Sequence, residues 1–427
     1  MKRENLPGSS SKRAHEDLGV LLRKYPIEVF QNWTITSGEQ YYVKAPIDRI
    51  GEVAFHIRSH ITALILAGNP AIYFLQRPSS PGMTRTAFAF SQLGLETFFT
   101  SLVVFVYWLI DARLGRLLSA QLSLSFFVSG TLKVMLCLPR PPAPPALRLT
   151  RPCPFRAWPS NHALLGTTFP WFIWLYCSSH YDLSFSQSFI LLLTMFTWNV
   201  GVAWSRVYLG VHSPCGVLGG WTLGVLILFV FGGFATKLHG VYIAASSASH
   251  FAPFVLLPAL LLLIHPRAWP ETQSYGECIC VLSGTATIWA DRVLGLSGVD
   301  PFVSLMEAEP EAPITKYFLR FAIGAFLILL GRILLKCLAA GVFSLIFQSA
   351  GLNFYSYTEM CRRLGTLQAT KRFTSRMRFK PIPGGKQDVP PEMIPYDVDL
   401  PVKVVTYAVI GFLVGDGCPA IFQIVRI

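Results

Sequence analysis

Three short stretches of this chain hold side chains that could do chemistry in surroundings otherwise too apolar to keep them. "AWSRVYLGVHSPCGVLGGW", Ala203 to Trp221, sets Arg206 and His212 six residues apart. A guanidinium offers a planar fork for two phosphate oxygens, and a neutral imidazole offers a ring nitrogen as nucleophile. "KVMLCLPRPPAP" puts Lys133 near the end of an apolar run and Arg140 seven residues later. "FRAWPSNHALLG" puts Ser160, Asn161 and His162 directly before another apolar run. Ser and Asn are favoured helix N-caps, and the free amides and positive dipole end of a helix start suit an anion. His162 would then lie in the first turn, where a proton donor reaches a bound phosphate. No carboxylate follows His212, although an acid ordinarily steers a nucleophilic imidazole.

Each piece also has a plain structural reading. Lys133 can snorkel to the interface, Ser160 and Asn161 can simply cap, and a His at the edge of an apolar run can be interfacial. In an unbroken helix, positions six apart lie about 240° apart around the axis. Arg206 and His212 therefore share a site only if the chain bends between them.

The elements that must position these groups are membrane helices. Over 427 residues, 52% hydrophobic and 14% charged composition excludes an ordinary soluble protein. Apolar runs near the roughly 20 residues that cross a bilayer lie at 61–76, 88–110, 117–138, 163–179, 187–204, 217–236, 251–265, 318–347 and 402–424, with a weaker one at 276–290. The expectation is an all-α polytopic transmembrane bundle of about nine spans, the weak run not crossing. Residues 1–60 read as a cytosolic N-terminal arm, 61–236 as a core membrane domain, and 237–427 as a C-terminal transmembrane region with a basic loop over 348–401. The N-terminal arm has no apolar core or cleavage site of a signal peptide. Its "NWT" at Asn32 is a glycosylation pattern that matters only in the lumen.

The net charge of +13 sits mostly between apolar runs and near the termini, which suits an anionic membrane surface. No basic-aromatic motif accompanies it, so nucleic acid is not an expected partner. The positive-inside tendency assigns "CRRLGTLQATKRFTSRMRFKPIPGGKQ", the N-terminal arm and "DARLGR" to the cytosol. On that count the loops 139–162 and 205–216 share the lumenal side, so all the polar groups above fall on one face. The nine cysteines are scattered, several inside spans (Cys137, Cys177, Cys337). They form no paired framework, and Cys278 with Cys280 makes a poor metal pair without further ligands.

Lys133-x6-Arg140-Pro141, Pro159-Ser160-Asn161-His162 and Ser205-Arg206-x5-His212, in that order, resemble the three signature motifs of the type 2 phosphatidic acid phosphatase superfamily. The core resemblance covers about residues 88–236. "WSRVYLGVHSP", "SYGECICVLSGTATIWADR" and "DVDLPVKVVTYAVIGF" are similar to the sphingosine-1-phosphate, or long-chain base phosphate, phosphatase branch. The resemblance implies a six-helix lipid phosphatase core in the endoplasmic reticulum membrane with its site facing the lumen. The implied activity is metal-independent, cofactor-free removal of phosphate from sphingosine 1-phosphate or dihydrosphingosine 1-phosphate. Lys133, Arg140 and Arg206 would hold the phosphate, helped by Ser160 and the backbone around Asn161. His212 would form a phosphohistidine, and His162 would protonate the leaving alkoxide.

Two departures stand out. Asn161 replaces a common Gly, which is mild where only backbone and cap geometry matter. Gly216 stands where the third motif should carry Asp, four residues after His212. Loss of the corresponding acid in analogous triads costs rate on the order of 10⁴ and spares binding. A weakened enzyme, an enzyme rescued by another acceptor (Glu96, Asp416 or a backbone carbonyl) and a lipid-phosphate-binding pseudophosphatase all remain open at this level. So does a phosphatase of another lipid, such as phosphatidic acid or a polyprenyl diphosphate.

Overall fold

The computed structural model describes residues 51–78, 80–138, 140–141, 147–150, 157–244, 248–266, 273–294, 304–352, 354–356 and 396–427. Asn32 and most of the basic loop therefore lie outside the described residues. What is described is mostly helical: α1 (Glu52–Ala67), α2 (Asn69–Gln76), α3 (Pro81–Gln92), α4 (Glu96–Phe105, closing in a wide π turn over Val106–Ile110), α5 (Ala112–Leu136), α6 (Asn161–His180), α7 (Phe185–Tyr208) and α8 (Pro214–Ala244). Then come α9 (Ala248–Ile264), α10 (Gln273–Leu294), α11 (Leu305–Ala308), α12 (Ile314–Ser349), α13 (Asp399–Phe412, running into a second π turn over Leu413–Gly417) and α14 (Cys418–Val425). The only strands among the described residues, β1 (Phe354–Tyr355) and β2 (Tyr396–Asp397), pair in parallel.

The helices begin where short polar side chains can close their free amides. Asp111 Oδ1 accepts from the Leu114 amide at 2.7 Å, Ser160 Oγ from Ala163 at 3.4 Å, and Ser184 with Gln187 makes a capping box on α7. An aromatic core joins α4, α6 and α7. Phe99 packs on Phe169 at 4.7 Å between centroids and stacks on Trp198 at 5.9 Å. The outer faces are apolar as well: Phe229 is 83% and Phe185 88% exposed. Such a surface needs lipid around it.

Side-chain contacts fix the helix directions. The start of α5 meets the end of α10, where Trp289 Nε1 donates to the Arg116 carbonyl at 3.2 Å. Halfway along, Ser123 Oγ donates to Thr285 Oγ1 at 2.8 Å. At the other end Gly130 faces the Ser274 carbonyl. Thus α10 runs antiparallel to α5 along its length, although it is not among the helices long and apolar enough to count as spans. Its hydropathy is low because Ser283, Thr285 and Thr287 face neighbouring helices or their own backbone rather than lipid.

The 61–76 run does not form one span-length helix. It breaks at Gly68, and both halves lie across one end of the bundle. Arg58 Nε donates to the Leu136 carbonyl at 2.8 Å, and Gln76 Nε2 to the Tyr208 carbonyl at 2.8 Å. Among the described residues, five helices are long and apolar enough to cross a membrane, or six if the bent pair α3 and α4 forms one span. That count does not reproduce the nine expected.

The C-terminal helices place the flanks of the basic loop. Arg320 near the start of α12 donates to the Trp108 carbonyl at 3.2 Å and to the Ile427 carbonyl at 3.1 Å, so α12 begins far from Leu136. At the start of α13, Lys403 Nζ reaches Gly276, at the Leu136 end. Both flanks of the basic loop therefore meet the same end as the loops carrying Arg140, His162 and His212, not the opposite one.

Candidate active site

Helix α5 carries Lys133 in its last turn and ends at Cys137, whose φ of 47° turns the chain sharply. The following segment brings Arg140 across to the third stretch, where its Nη1 donates to the Val211 carbonyl at 2.8 Å. The Ala157 amide donates to the Leu138 carbonyl at 3.1 Å, and the Ser160 amide to the Gly216 carbonyl at 3.1 Å. The three stretches are thus stitched together through backbone groups.

The bend required between Arg206 and His212 is present. Helix α7 stops after Tyr208, and Gly210 takes φ +68°, a conformation that glycine adopts without strain. The Val211 and His212 amides then both fold back onto the Arg206 carbonyl, at 3.2 and 3.3 Å. Arg206 points into the same region and donates from Nη1 to Ser91 Oγ at 2.5 Å. Ser160 is fully buried, and the Asn161 and His162 amides are the first two of α6, without intrahelical acceptors. Every predicted site residue falls in this one cluster.

His212 is 4% exposed. Burial first, then the charges of Arg140 and Arg206, the neighbouring His162 and the charge of Lys133 hold its pKa well below the ordinary imidazole value of 6.5. The ring is therefore neutral at pH 7, as a nucleophile must be. Arg206, Lys133 and Arg140 are likewise the charged neighbours of His162. Three cations and two imidazoles around one space can bind a phosphate group, accept its transfer to nitrogen and move a proton. Among the described residues no group of three or more His, Cys, Asp or Glu is arranged to hold a metal ion.

A Cβ added at Gly216 would sit 3.5 Å from His212 Nδ1. That nitrogen has no hydrogen-bond partner among the described residues. Neither rescue candidate supplies one. Asp416 follows Val414 and Gly415, whose carbonyls accept from Trp108 and Tyr107 at the far end of the bundle. Glu96 lies beside Lys133 and is hydrogen-bonded to Glu277.

Sequence reasoning missed four contributors. Ser91 anchors Arg206, and Gln76 ties α2 to the Leu147 carbonyl and amide and to Tyr208. Gly94 admits the His162 ring, for a Cβ there would meet His162 Cδ2 at 2.6 Å. Gly220 lets α8 approach the Ser160 carbonyl, which a Cβ would meet at 2.6 Å. Isolated Ser and Gly residues in apolar runs carry no periodicity that singles them out.

Residues 113–238 match the PAP2 superfamily. The chain is 24% identical over 392 residues to lipid phosphate phosphatase delta of Arabidopsis thaliana, covering 85% of this chain and 88% of the relative. It is 27% identical over 263 residues to human sphingosine-1-phosphate phosphatase 2, covering 58% and 64%. It is 24% identical over 348 residues to a dihydrosphingosine 1-phosphate phosphatase of Schizosaccharomyces pombe, covering 77% and 81%. No solved structure matches the chain.

Proposed function

Since residues 113–238 form a PAP2 superfamily domain, we propose that this chain is a metal-independent phosphatase of sphingoid long-chain base 1-phosphates, slowed by the glycine at position 216. The observation that carries the reading is His212, buried and neutral, with Arg140, Arg206, Lys133 and His162 around its ring. The substrate class follows the sphingosine and dihydrosphingosine phosphatases among the relatives.

Lys133, Arg140 and Arg206 hold the phosphate oxygens, with the Ser160 hydroxyl and the first amides of α6. Because Nδ1 faces position 216, Nε2 is the nitrogen left to attack phosphorus. The N–P bond forms as the bond to the ester oxygen breaks. His162, protonated from a monoanionic phosphate, gives that proton to the leaving alkoxide. It then takes a proton from water, whose oxygen displaces His212 and frees phosphate. Fixed cations meet the charge on the equatorial oxygens throughout. With no acceptor on Nδ1, the reactive tautomer is not fixed and the imidazolium is not stabilised, which slows transfer without weakening phosphate binding.

The proposed setting is the endoplasmic reticulum membrane. The proposed face is the lumen, because the basic "DARLGR" at the start of α5 lies at the end away from the site and keeps the cytosolic side by the positive-inside tendency. Protease cleavage of sealed microsomes reports the face directly, because cutting in the 357–395 segment without detergent marks that end as cytosolic.

Purified chain in nanodiscs should release phosphate from sphingosine 1-phosphate with a chelator present, and His212→Ala should release none. Strict metal dependence contradicts the mechanism. Faster turnover of phosphatidic acid or a polyprenyl diphosphate reassigns the substrate. The unpartnered Nδ1 also favours a second reading, a lipid-phosphate-binding pseudophosphatase, which wins if the native chain binds the lipid and never forms phosphohistidine.

A further inference from the structure

Beside the phosphate cluster lies a pair of carboxyls that the proposed reaction does not use. Glu96 opens α4 and Glu277 lies in the first turns of α10, and their side chains are hydrogen-bonded to each other beside the Lys133 ammonium. Carboxylate oxygens accept hydrogen bonds and donate none, so the pair is suited to a cationic donor. Lys133 is one of the proposed phosphate ligands, which makes the pair border the phosphate. The chain two residues before Glu96 confirms the placement, since Gly94 packs directly against the His162 ring. Around this space His162 Nε2 and Asn161 Oδ1 are shielded from solvent and lack hydrogen-bond partners among the described residues. Unpaired buried polar atoms of this kind mark room for a ligand. Lys403 reaches Gly276 and lines a cavity with Asp399, Arg332 and Tyr407, and Lys403, Glu277 and Glu96 are all charged neighbours of Cys280.

Resting on the phosphatase reading above, we infer that Glu96 and Glu277 receive the ammonium group of the substrate and select lipids that carry it. In a sphingoid base 1-phosphate the amine sits on the carbon next to the one bearing the phosphate. A phosphate on Lys133 therefore brings the ammonium to the carboxyls beside that lysine. Phosphate takes over the Lys133 charge, and the ammonium donates to both carboxyl groups. Phosphatidic acid and polyprenyl diphosphates have no amine, so for them the same pair stays without its cation beside a bound anion, a repulsive element that sharpens discrimination.

Equilibrium binding to the chain in phosphatidylcholine nanodiscs tests this without requiring turnover. The probes are sphingosine 1-phosphate and N-acetylsphingosine 1-phosphate, which keeps the phosphate and alkyl chain and loses the charge. The native chain should prefer the amine-bearing lipid by about tenfold or more, the scale of one charged hydrogen bond. Glu96→Gln with Glu277→Gln should erase the preference by weakening sphingosine 1-phosphate alone, while Glu277→Asp keeps most of it. Equal binding of both lipids by the native chain overturns the inference and needs no variant. A preference that survives the double substitution, or an equal loss of both lipids while Glu277→Asp stays native-like, also overturns it. If the native chain binds neither lipid, the phosphate site falls as well, which separates that failure from this one.

Discussion

Restoring a carboxylate at position 216 is the substitution on which the reading of this site depends most. Gly216 lies in the first turn of α8 with an ordinary helical backbone, where an acidic residue also suits the helix dipole. Its Cβ would lie 3.5 Å from His212 Nδ1, 3.6 Å from Ser213 Oγ and 3.8 Å from His212 Cβ. All three are van der Waals contacts, so Gly216→Asp should fit without moving the backbone, and the Gly216 carbonyl can keep its bond to Ser160. The new carboxylate would accept from Nδ1–H, fix Nε2 as the attacking nitrogen and stabilise the imidazolium.

By analogy with triads that lose their acid, the expected gain is about 10³–10⁴ in the rate of phosphoryl transfer, with little change in lipid affinity. Single-turnover formation of phosphohistidine from labelled sphingosine 1-phosphate measures the step itself, and Gly216→Ala supplies the Cβ without the charge. The carboxylate should also raise the depressed His212 pKa toward its ordinary value, moving the acid limb of the rate profile to higher pH. If Gly216→Asp forms phosphohistidine no faster than Gly216→Ala in folded protein, tautomer control is not what the native site lacks and the reasoning fails.

Two further outcomes follow from the same geometry. Gly94→Ala places a methyl 2.6 Å from His162 Cδ2 and 3.0 Å from Val202 Cγ1, so it should cut alkoxide protonation by at least about tenfold, the lower range for a lost general acid. A leaving group of low pKa, such as p-nitrophenyl phosphate offers, should recover most of that loss, and an equal loss on both substrates points to general misfolding. His212 gives a signed pH dependence of stability. Its folded pKa lies well below 6.5, so on acidification the unfolded chain takes up a proton that the folded chain refuses. Folding is then least penalised above about pH 6.5 and loses stability as pH falls below it. The fall in Tm between pH 7 and 5 should be smaller in His212→Gln, and an unchanged slope counts against a buried neutral ring.

The site was legible in the sequence to an unusual degree because each of its three pieces sits at a helix end, where local chemistry decides the structure. Ser160 caps α6 as its residue type predicts, Cys137 and Gly210 make the turns, and Arg206 meets His212 only because Gly210 breaks the helix between them. The span assignment was less legible for a physical reason. Hydropathy measures compatibility with lipid, and α10 satisfies hydroxyls against Ser119 and Ser123 of α5 instead, so it packs along α5 with a weak apolar signal. The run at 61–76 has the reverse problem: it is apolar enough to suggest a span, yet Gly68 and Pro70 break it and Arg58 and Gln76 fasten it to the ends of α5 and α7.

The placement of α1 and α2 has a consequence for catalysis. With α1 and α2 lying across the site end, Gln76 joins the Tyr208 carbonyl to both backbone groups of Leu147, which fixes the loop after Arg140 against the end of α7. The Leu149 amide adds a bond to the Leu209 carbonyl at 3.1 Å. Arg140, in the segment after α5, and Arg206, in the last turn of α7, are proposed phosphate ligands on different elements, and rigid spacing between them would preorganise the charge. Gln76→Ala leaves Leu147 and Tyr208 without their shared partner while touching no substrate. Its cost should therefore appear as slower phosphoryl transfer, with lipid binding largely kept. A pure loss of affinity in that variant would mean that the loops are held by something other than the helices lying across them.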